Sequence, residues 1–516
     1  MFTIIAVIVV STLVALLTYV YANYGRRYSL GRRFRGPPAL PIIGNALLFL
    51  DIQPDEFISR LLAMIKEYGK TFRLWLGLDL NIMMHDFRDI EILLSSPKFT
   101  TKSDQYRFLK DWLRDGLLLS NGRKYQQRRK LVTPAFHFKM MEGFLNCFHE
   151  HSGVLVEQMR KICAERRSFE LLHTVGLCML DTICDTAMGV HTQAQRNGDS
   201  EYVRALRSLT TILHLRMFNI KYYFDFIFRF TPEGREAKRA LAILDDFAEQ
   251  VILERRTELM QVPEEQGRGN EVELSIGIKR KEVLLDILLR SSDDGKPLSN
   301  TDIREEVLTF IFAGHDTTSS ALMFFFYCII TNPECERRCY EEVCSIFGTD
   351  PTVIEITREN LSQLHYVEMC IKEALRMYPP IALIGRKVLE ECTMNDHILP
   401  AGANIGFSPY LFGRQSELYP EPNKFKPERF DLTAREDDTK PNPYMFTAFS
   451  GGPRSCLGSK YAVLQMKVVI VNVLLNFQME FVGDTPEEPT PFSEITLRTK
   501  DPLMFTLRER REISGM

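Results

Sequence analysis

Residues 449–462, FSGGPRSCLGSKYA, are the stretch whose reading decides the fold. Gly451, Gly452 and Gly458 surround Cys456, Arg454 stands two residues before it, and an apolar helical pattern follows. Glycines let a backbone fold tightly beside something large. A helix starting just after the cysteine points free N–H groups and its positive dipole end at the sulfur, which favours thiolate over thiol. Arg454 adds a cation suited to a carboxylate partner. A soft anionic donor, hydrogen bonds to tune it and close backbone approach are what a thiolate ligand to haem iron needs. The plain alternative is a buried structural cysteine in a Gly-rich turn.

A second stretch, TFIFAGHDTTSSALMFFFYCII at 309–330, sets six polar side chains, His315 to Ser320, inside an apolar helix. Polar and ionisable groups at mid-bilayer depth are costly, so a membrane-spanning reading of 307–330 fails. A buried helix running past a cofactor explains both the apolar flanks and the polar centre. Ser299 can cap this helix with Asp302 at the third position. Gly314 allows close approach of a flat ring. Thr317 can hydrogen-bond back to the preceding turn and open the helix locally, and Asp316 can relay protons inward.

The chain of 516 residues is 45% hydrophobic and 25% charged, an ordinary globular balance, and its net charge of −3 gives no reason to expect nucleic acid as a partner. Eleven cysteines, an odd number scattered singly, suit a reducing compartment and not a disulfide framework. Cys335, Cys339 and Cys344 lack a second ligand pair at zinc-finger spacing. Residues 1–25 carry no charged side chain and are long enough to span a bilayer, with Arg26, Arg27, Arg32, Arg33 and Arg35 following. Charge after the apolar stretch favours an uncleaved anchor with its arginines in the cytosol. Residues 26–45 form a basic, Pro-rich hinge, and 46–516 a single catalytic domain. Its pattern is mainly α with small β-sheets (α+β): a β-type run near 71, helices over about 104–378, then Pro- and Gly-rich strands until a last helix near 457. The segment near 261, QVPEEQGRGNEVELSIG, reads as a mobile surface loop. MFNIKYYFDFIFRF near 217 is either a core helix or a second membrane contact.

The pattern Phe449-x-x-Gly452-x-Arg454-x-Cys456-x-Gly458 resembles the haem-binding signature of the cytochrome P450 family. Glu373 and Arg376 in KEALR, Arg429 in PERF and the AGHDTT stretch at 313–318 agree with that family in order and spacing. The resemblance runs from the anchor to the last helix and is closest to the family 4 clan of fatty-acid ω-hydroxylases. It implies the cytochrome P450 fold with an N-terminal transmembrane helix, haem b on Cys456, and a buried ion cluster of Glu373, Arg376 and Arg429. Arg129 and Arg386 match propionate partners, while Phe449, Arg454, Ala313 and Gly314 match haem contacts. Asp316 and Thr317 match the catalytic pair of an oxygen-activating reaction that consumes two electrons and two protons. Tyr125 stands where most relatives carry Trp, and its phenol can still donate one hydrogen bond to a propionate.

The implied function is a monooxygenase at the endoplasmic reticulum membrane, facing the cytosol. It would take a lipophilic substrate, a fatty acid or related lipid, with electrons from NADPH-cytochrome P450 reductase and with cytochrome b5 as a second donor. Arg123, Lys124, Arg128, Lys130 and Lys460 are candidates for the docking face. A haem-thiolate isomerase or dehydratase and a haem sensor or lipid carrier are the competing readings, and the Asp316–Thr317 pair argues against the former, since rearrangement needs no proton relay. NADPH and oxygen consumption with reductase present separates them.

Many family 4 relatives carry Glu at the position of Ala313, where it esterifies a haem methyl, and Asp at the position of Leu308. Alanine cannot form that ester. Acidified organic solvent is therefore expected to strip all haem from the polypeptide; haem that stays with the protein after extraction would contradict a noncovalent site.

Overall fold

The longest helix begins on a reciprocal cap. Ser299 Oγ accepts the Asp302 N–H at 3.1 Å, and Asp302 Oδ2 accepts the Ser299 N–H at 3.3 Å, which satisfies two of the free donors at the helix start. The computed structural model describes residues 11–12, 15, 18, 24–50, 52–198, 200–218, 220–261, 272–273, 279–280, 283–293, 295–431, 442–483 and 488–510. The anchor expected at 1–25 and the loop expected near 261 lie almost wholly outside these residues.

The helices that position the site are α1 (Gly122–Val132), α2 (Phe138–Ala164), α3 (Leu171–Ile183), α4 (Glu201–Phe218), α5 (Pro232–Met260), α6 (Asn300–Ile330), α7 (His365–Met377) and α8 (Ser459–Asn476). Helix α6 lies at the centre, packed along α3, α5, α7 and α8. It is buried nearly all round: Phe324, Phe325 and Phe326 are each at most 1% exposed, and Phe324 stacks on Tyr378 with centroids 4.5 Å apart. A helix apolar on every side has to be a core helix or a membrane span, and here it is core. The same holds for Leu171–Met188, the one candidate span among the described residues, which is 78% buried.

The expected sheet near 71 is present. Strands β1 (Thr71–Leu76) and β2 (Asp79–Met84) form an antiparallel hairpin with Leu74 opposite Asn81. Gly77, at φ +66°, takes the first position of its two-residue loop, where a left-handed conformation is needed. Strands β3 (Ile384–Lys387) and β4 (Asn404–Phe407) complete the sheet in the order β1-β2-β4-β3, with β4 parallel to β2. A separate hairpin, β5 (Pro491–Ser493) and β6 (Leu497–Thr499), reaches back to α6.

Residues 26–45 dock on this sheet and are not a free spacer. Arg26 pairs with Glu391 at 2.6 Å, the Phe34 carbonyl accepts from Arg73 at 2.7 Å, and Gly44 bridges to Leu76. The stretch at 231–234, a break in helical periodicity, is the start of α5, where Thr231 Oγ1 accepts the Gly234 N–H at 3.0 Å.

Glu373 and Arg376 share one face of α7 and meet in two parallel hydrogen bonds of 2.7 and 2.9 Å, both side chains at most 1% exposed. Arg429 Nε joins Glu373 Oε1 at 3.2 Å, and the Lys426 N–H adds a bond at 2.9 Å. Arg376 spends its other donors on the carbonyls of Gly413 and Pro422. This is the ion cluster expected from the sequence, and it ties the 413–429 loop to α7. Removing one partner of such a pair leaves buried charge uncompensated. Glu373→Ala is therefore expected to lower stability by about 3–5 kcal/mol, read as a shifted denaturation midpoint.

Glu306, buried in the first half of α6, accepts the Leu117 N–H at 3.0 Å. Burial raises its pKa to about 7 from 4.5, against that hydrogen bond and Arg128. The folded state thus favours the protonated acid. Its contribution is fully present below the unfolded value and is lost as pH rises through about 7. Glu306→Gln should flatten the fall in stability between about pH 5 and pH 8 by about 2 kcal/mol, checked by denaturant titration at both ends.

Candidate active site

The Gly-rich stretch forms a tight loop ahead of α8. The Cys456 N–H closes it on the Phe449 carbonyl at 2.9 Å, and Gly452, at φ +59°, lies so close to the Leu94 carbonyl that a Cβ there would sit 2.0 Å from the oxygen. Gly458 has open space instead: its nearest neighbour in the Cβ direction is Phe136, 3.9 Å away. Cys456 is deep in the protein, and its accessible surface faces a cavity of about 620 Å³. Burial pushes its thiol pKa up, while the Gly458 N–H and the Arg129 charge oppose the rise.

The same cavity is lined by Ala313, Gly314, Thr317, Phe449, Arg129 and Arg386. Sequence reading therefore placed most of its candidates on one chamber. Lys102, which it did not single out, joins Arg129, Arg386 and Arg454 there. Among the described residues no carboxylate forms an ion pair with any of these four. Burial lowers the pKa of Arg386 and brings Arg454 to about 10. Lys102 falls well below its ordinary range through burial and the nearby charges of Arg386 and Arg454. Such a group of cations is costly unless an anion shares the site. Haem fits this arrangement: its two propionates would answer the cations, and Cys456 offers a soft donor into the cavity.

Several residues also make contacts within the chain that their spacing does not reveal. Among the described residues Arg454 meets no carboxylate. It donates to the carbonyls of Thr100, at 2.7 Å, and of Ser120, and lies over the Tyr125 ring at 3.4 Å. Tyr125 gives its hydroxyl hydrogen to the Pro453 carbonyl at 2.6 Å, so the phenol is not left to donate to a propionate. Arg129 holds the Ser455 carbonyl at 2.9 Å, and Arg386 reaches the Gly385 carbonyl at 3.0 Å. Although Gly314 lines the cavity, its missing side chain makes room for Ile183 of α3, whose Cδ1 lies 2.5 Å from where a Cβ would stand. Two of the basic residues assigned to docking are used internally: Arg128 is buried on Asp302 at 2.6 Å, and Lys124 pairs with Glu305 at 2.8 Å.

The polar break in α6 splits between two tasks. Thr317 Oγ1 donates to the Ala313 carbonyl at 2.7 Å, as expected, yet the helix runs without interruption from Asn300 to Ile330 and does not open there. Asp316 does not line the cavity. One carboxylate oxygen accepts from Thr496 at 2.6 Å and the other from Arg498 at 3.0 Å. Ser320 donates to the Leu497 carbonyl at 2.6 Å, so Asp316 and Ser320 together fasten the β5–β6 hairpin to α6. The neutral His315, its pKa lowered to about 4 by burial, packs against Gly176 of α3. Arg498 also lies 3.2 Å from Glu494, a buried acid of raised pKa on the cavity wall that accepts from Thr211 at 3.0 Å. Sequence reading passed over Glu494, Thr496 and Arg498. Glu494 and Thr496 stand in the turn between β5 and β6 and Arg498 in β6, so no single-element periodicity in the sequence marks them as a group.

A family model described as cytochrome P450 matches residues 34–507. The chain is 46% identical to cytochrome P450 4d1 of Drosophila melanogaster over 514 residues, 99% of this chain and 100% of that protein. It is 47% identical to cytochrome P450 4d10 of Drosophila mettleri over 94% of this chain and 93% of that one, and 38% identical to cytochrome P450 4d2 of Drosophila melanogaster over 92% and 93%. With this match over nearly its whole length, the chain belongs to the cytochrome P450 family, monooxygenases that bind haem b through a cysteine thiolate on iron.

Proposed function

We propose that this protein is a membrane-bound monooxygenase of lipophilic substrates, fatty acids or related lipids first, with Cys456 as the iron ligand and Thr317 at the reacting side. The observation that carries the reading is that Cys456 and Thr317 face one cavity whose lining is overwhelmingly apolar. When bound, haem supplies a redox-active iron that activates O2 for insertion into a C–H bond. Lys102, Arg129 and Arg386 would hold the propionates, and Ala313 would leave the cofactor attached by noncovalent contacts and the Cys456 sulfur alone. Cys456 would serve as a thiolate, a form that its burial opposes and that the Gly458 N–H and the Arg129 charge favour.

Thr317 has committed its hydroxyl hydrogen to Ala313, so its oxygen faces the cavity as an acceptor. It can hold one water in a fixed orientation for proton delivery. Asp316, beside it in sequence, is anchored by Thr496 and Arg498, and Arg498 is shared with Glu494. A proton reaching the cavity along this side is handed on by a carboxyl that first exchanges its bond to Arg498.

Access fits a membrane setting. Phe224, Phe226 and Phe230 are 57%, 77% and 69% exposed, and Phe224 and the exposed Ile42 both line the cavity. This supports the membrane-contact reading of residues 217–230 over a core helix, with the chamber opening toward lipid. With residues 1–25 as anchor, the domain would sit on the cytosolic face of the endoplasmic reticulum. The family implies a redox partner; an NADPH-dependent reductase, with cytochrome b5 as a second donor, would meet the exposed Arg123, Lys130 and Lys460.

Thr317→Ala is the test. With reductase, NADPH and a panel of fatty acids and sterols, NADPH consumption should continue while hydroxylated product per NADPH falls about tenfold or more, read by mass spectrometry. Unchanged product per NADPH would remove Thr317 from proton delivery, and no oxygenated product from any lipid would remove the substrate class.

A further inference from the structure

Away from the haem chamber, four potential metal ligands gather between α2 and the end of α3. Cys147 and His151 lie four residues apart on α2 and so share a face. Helix α3 is continued by a π-wound turn over Cys184–Met188, a geometry that often marks a functional position, and this turn carries Asp185 to that face. Asp185 Oδ2 lies 3.3 Å from Cys147 Sγ, 3.0 Å from His151 Nε2 and 3.2 Å from His191 Nδ1. The ligand atoms of Cys147, His151 and Asp185 all lie within 4.8 Å of one another. Bond lengths of about 2.0–2.3 Å around tetrahedral zinc set ligand separations of about 3.3–3.8 Å. Cys147, His151 and Asp185 are therefore within about 1 Å of the separations an ion would set, and His191, which reaches only Asp185, has to swing in from its exposed position to complete the shell.

Its surroundings hold the donors in place. The backbone of His151 is pinned by Cys178 and Gln195, whose side chains both reach its carbonyl. The loop carrying His191 is fixed by the buried Asp181, which accepts from Thr192 Oγ1 at 2.5 Å and from the N–H groups of Ala194 and Gln195 at 2.6 and 3.0 Å. Cys147, His151 and Asp185 are half-buried, whereas His191 is 74% exposed at the mouth, so the site is built and an ion can reach it.

We propose that Cys147, His151 and Asp185, with His191 as the closing ligand, form a binding site for a divalent transition metal ion, zinc first. One thiolate, two imidazoles and a carboxylate are a zinc donor set, too soft for magnesium or calcium. Binding displaces the thiol proton and replaces two hydrogen bonds and one ion-pair contact to a single oxygen by coordination. The next residue, Thr186, shares a 2.7 Å hydrogen bond with Tyr461 of α8, which lines the haem cavity. An ion here would brace that wall without entering the chamber.

The test uses the haem-loaded full chain, in which iron occupies the competing Cys456 thiolate. After incubation with zinc and exhaustive desalting, the wild type should retain one zinc per haem and show a raised thermal midpoint. Cys147→Ser and Asp185→Asn should each weaken binding at least about tenfold and abolish the midpoint shift, with the haem spectrum intact. Should either variant lose haem, His191→Ala, at an exposed position, serves in its place, and zinc-edge absorption on the wild type reads the ligands directly: one sulfur at about 2.3 Å with nitrogen and oxygen neighbours. Equal zinc retention in wild type and variants, a shell without sulfur, or no retained zinc overturns the proposal; His151 and Cys147 are then only hydrogen-bond donors to Asp185.

Discussion

Four cations, Lys102, Arg129, Arg386 and Arg454, converge on the cavity, and among the described residues no carboxylate answers them. Most of the site's architecture follows from that constraint. Each comes from a different place: the loop before α1, α1 itself, β3 and the Gly-rich loop. Chain segments far apart in sequence are thus held together around a positive region that repels itself. The price is reduced by giving the guanidinium donors fixed carbonyl acceptors, those of Ser455, Gly385, Thr100 and Ser120. What the carbonyls cannot supply is charge. A dianionic cofactor can, and so cofactor binding and folding of this half of the molecule are linked.

That linkage explains the division of labour between the two ion systems. The Glu373–Arg376–Arg429 cluster is complete within the chain, with nearly every donor met by a carboxylate or a carbonyl. It specifies how α7 and the 413–429 loop meet, whether or not a cofactor is present. The cationic cluster is complete only with a partner from outside. A buried charge paired internally reads as fold specification, and one left to an external ion reads as a binding site.

The parts legible in the sequence were those whose physics is local. The cap at Ser299, the β-type run near 71, the buried character of α6 and the tight Gly-rich loop around Cys456 each depend on residues a few positions apart. Much of what was not legible concerns long-range partners. Tyr125 and Arg454 were assigned to ligands by type, and they also reach across the chain: Pro453, 328 residues from Tyr125, and Thr100, 354 residues from Arg454, accept from them. Gly314 was assigned to a flat ring, but it also admits Ile183, which no spacing on α6 reveals. Lys102 was missed because a lone lysine in a loop carries no pattern.

The polar break in α6 shows why one motif can support two arguments. A helix that borders a reaction chamber needs polar atoms on that side, and Thr317 supplies one. The same helix must also hold a short hairpin, β5–β6, that has too few residues to be stable alone. Asp316 and Ser320 do this by taking the hydroxyl of Thr496, the guanidinium of Arg498 and the carbonyl of Leu497. Because Glu494 and Ile495 at the tip of that hairpin line the cavity, the fastening also fixes the shape of the chamber wall. Asp316 therefore acts on the chamber through the hairpin even where it does not touch it, because the bonds it accepts from Thr496 and Arg498 hold that wall in place.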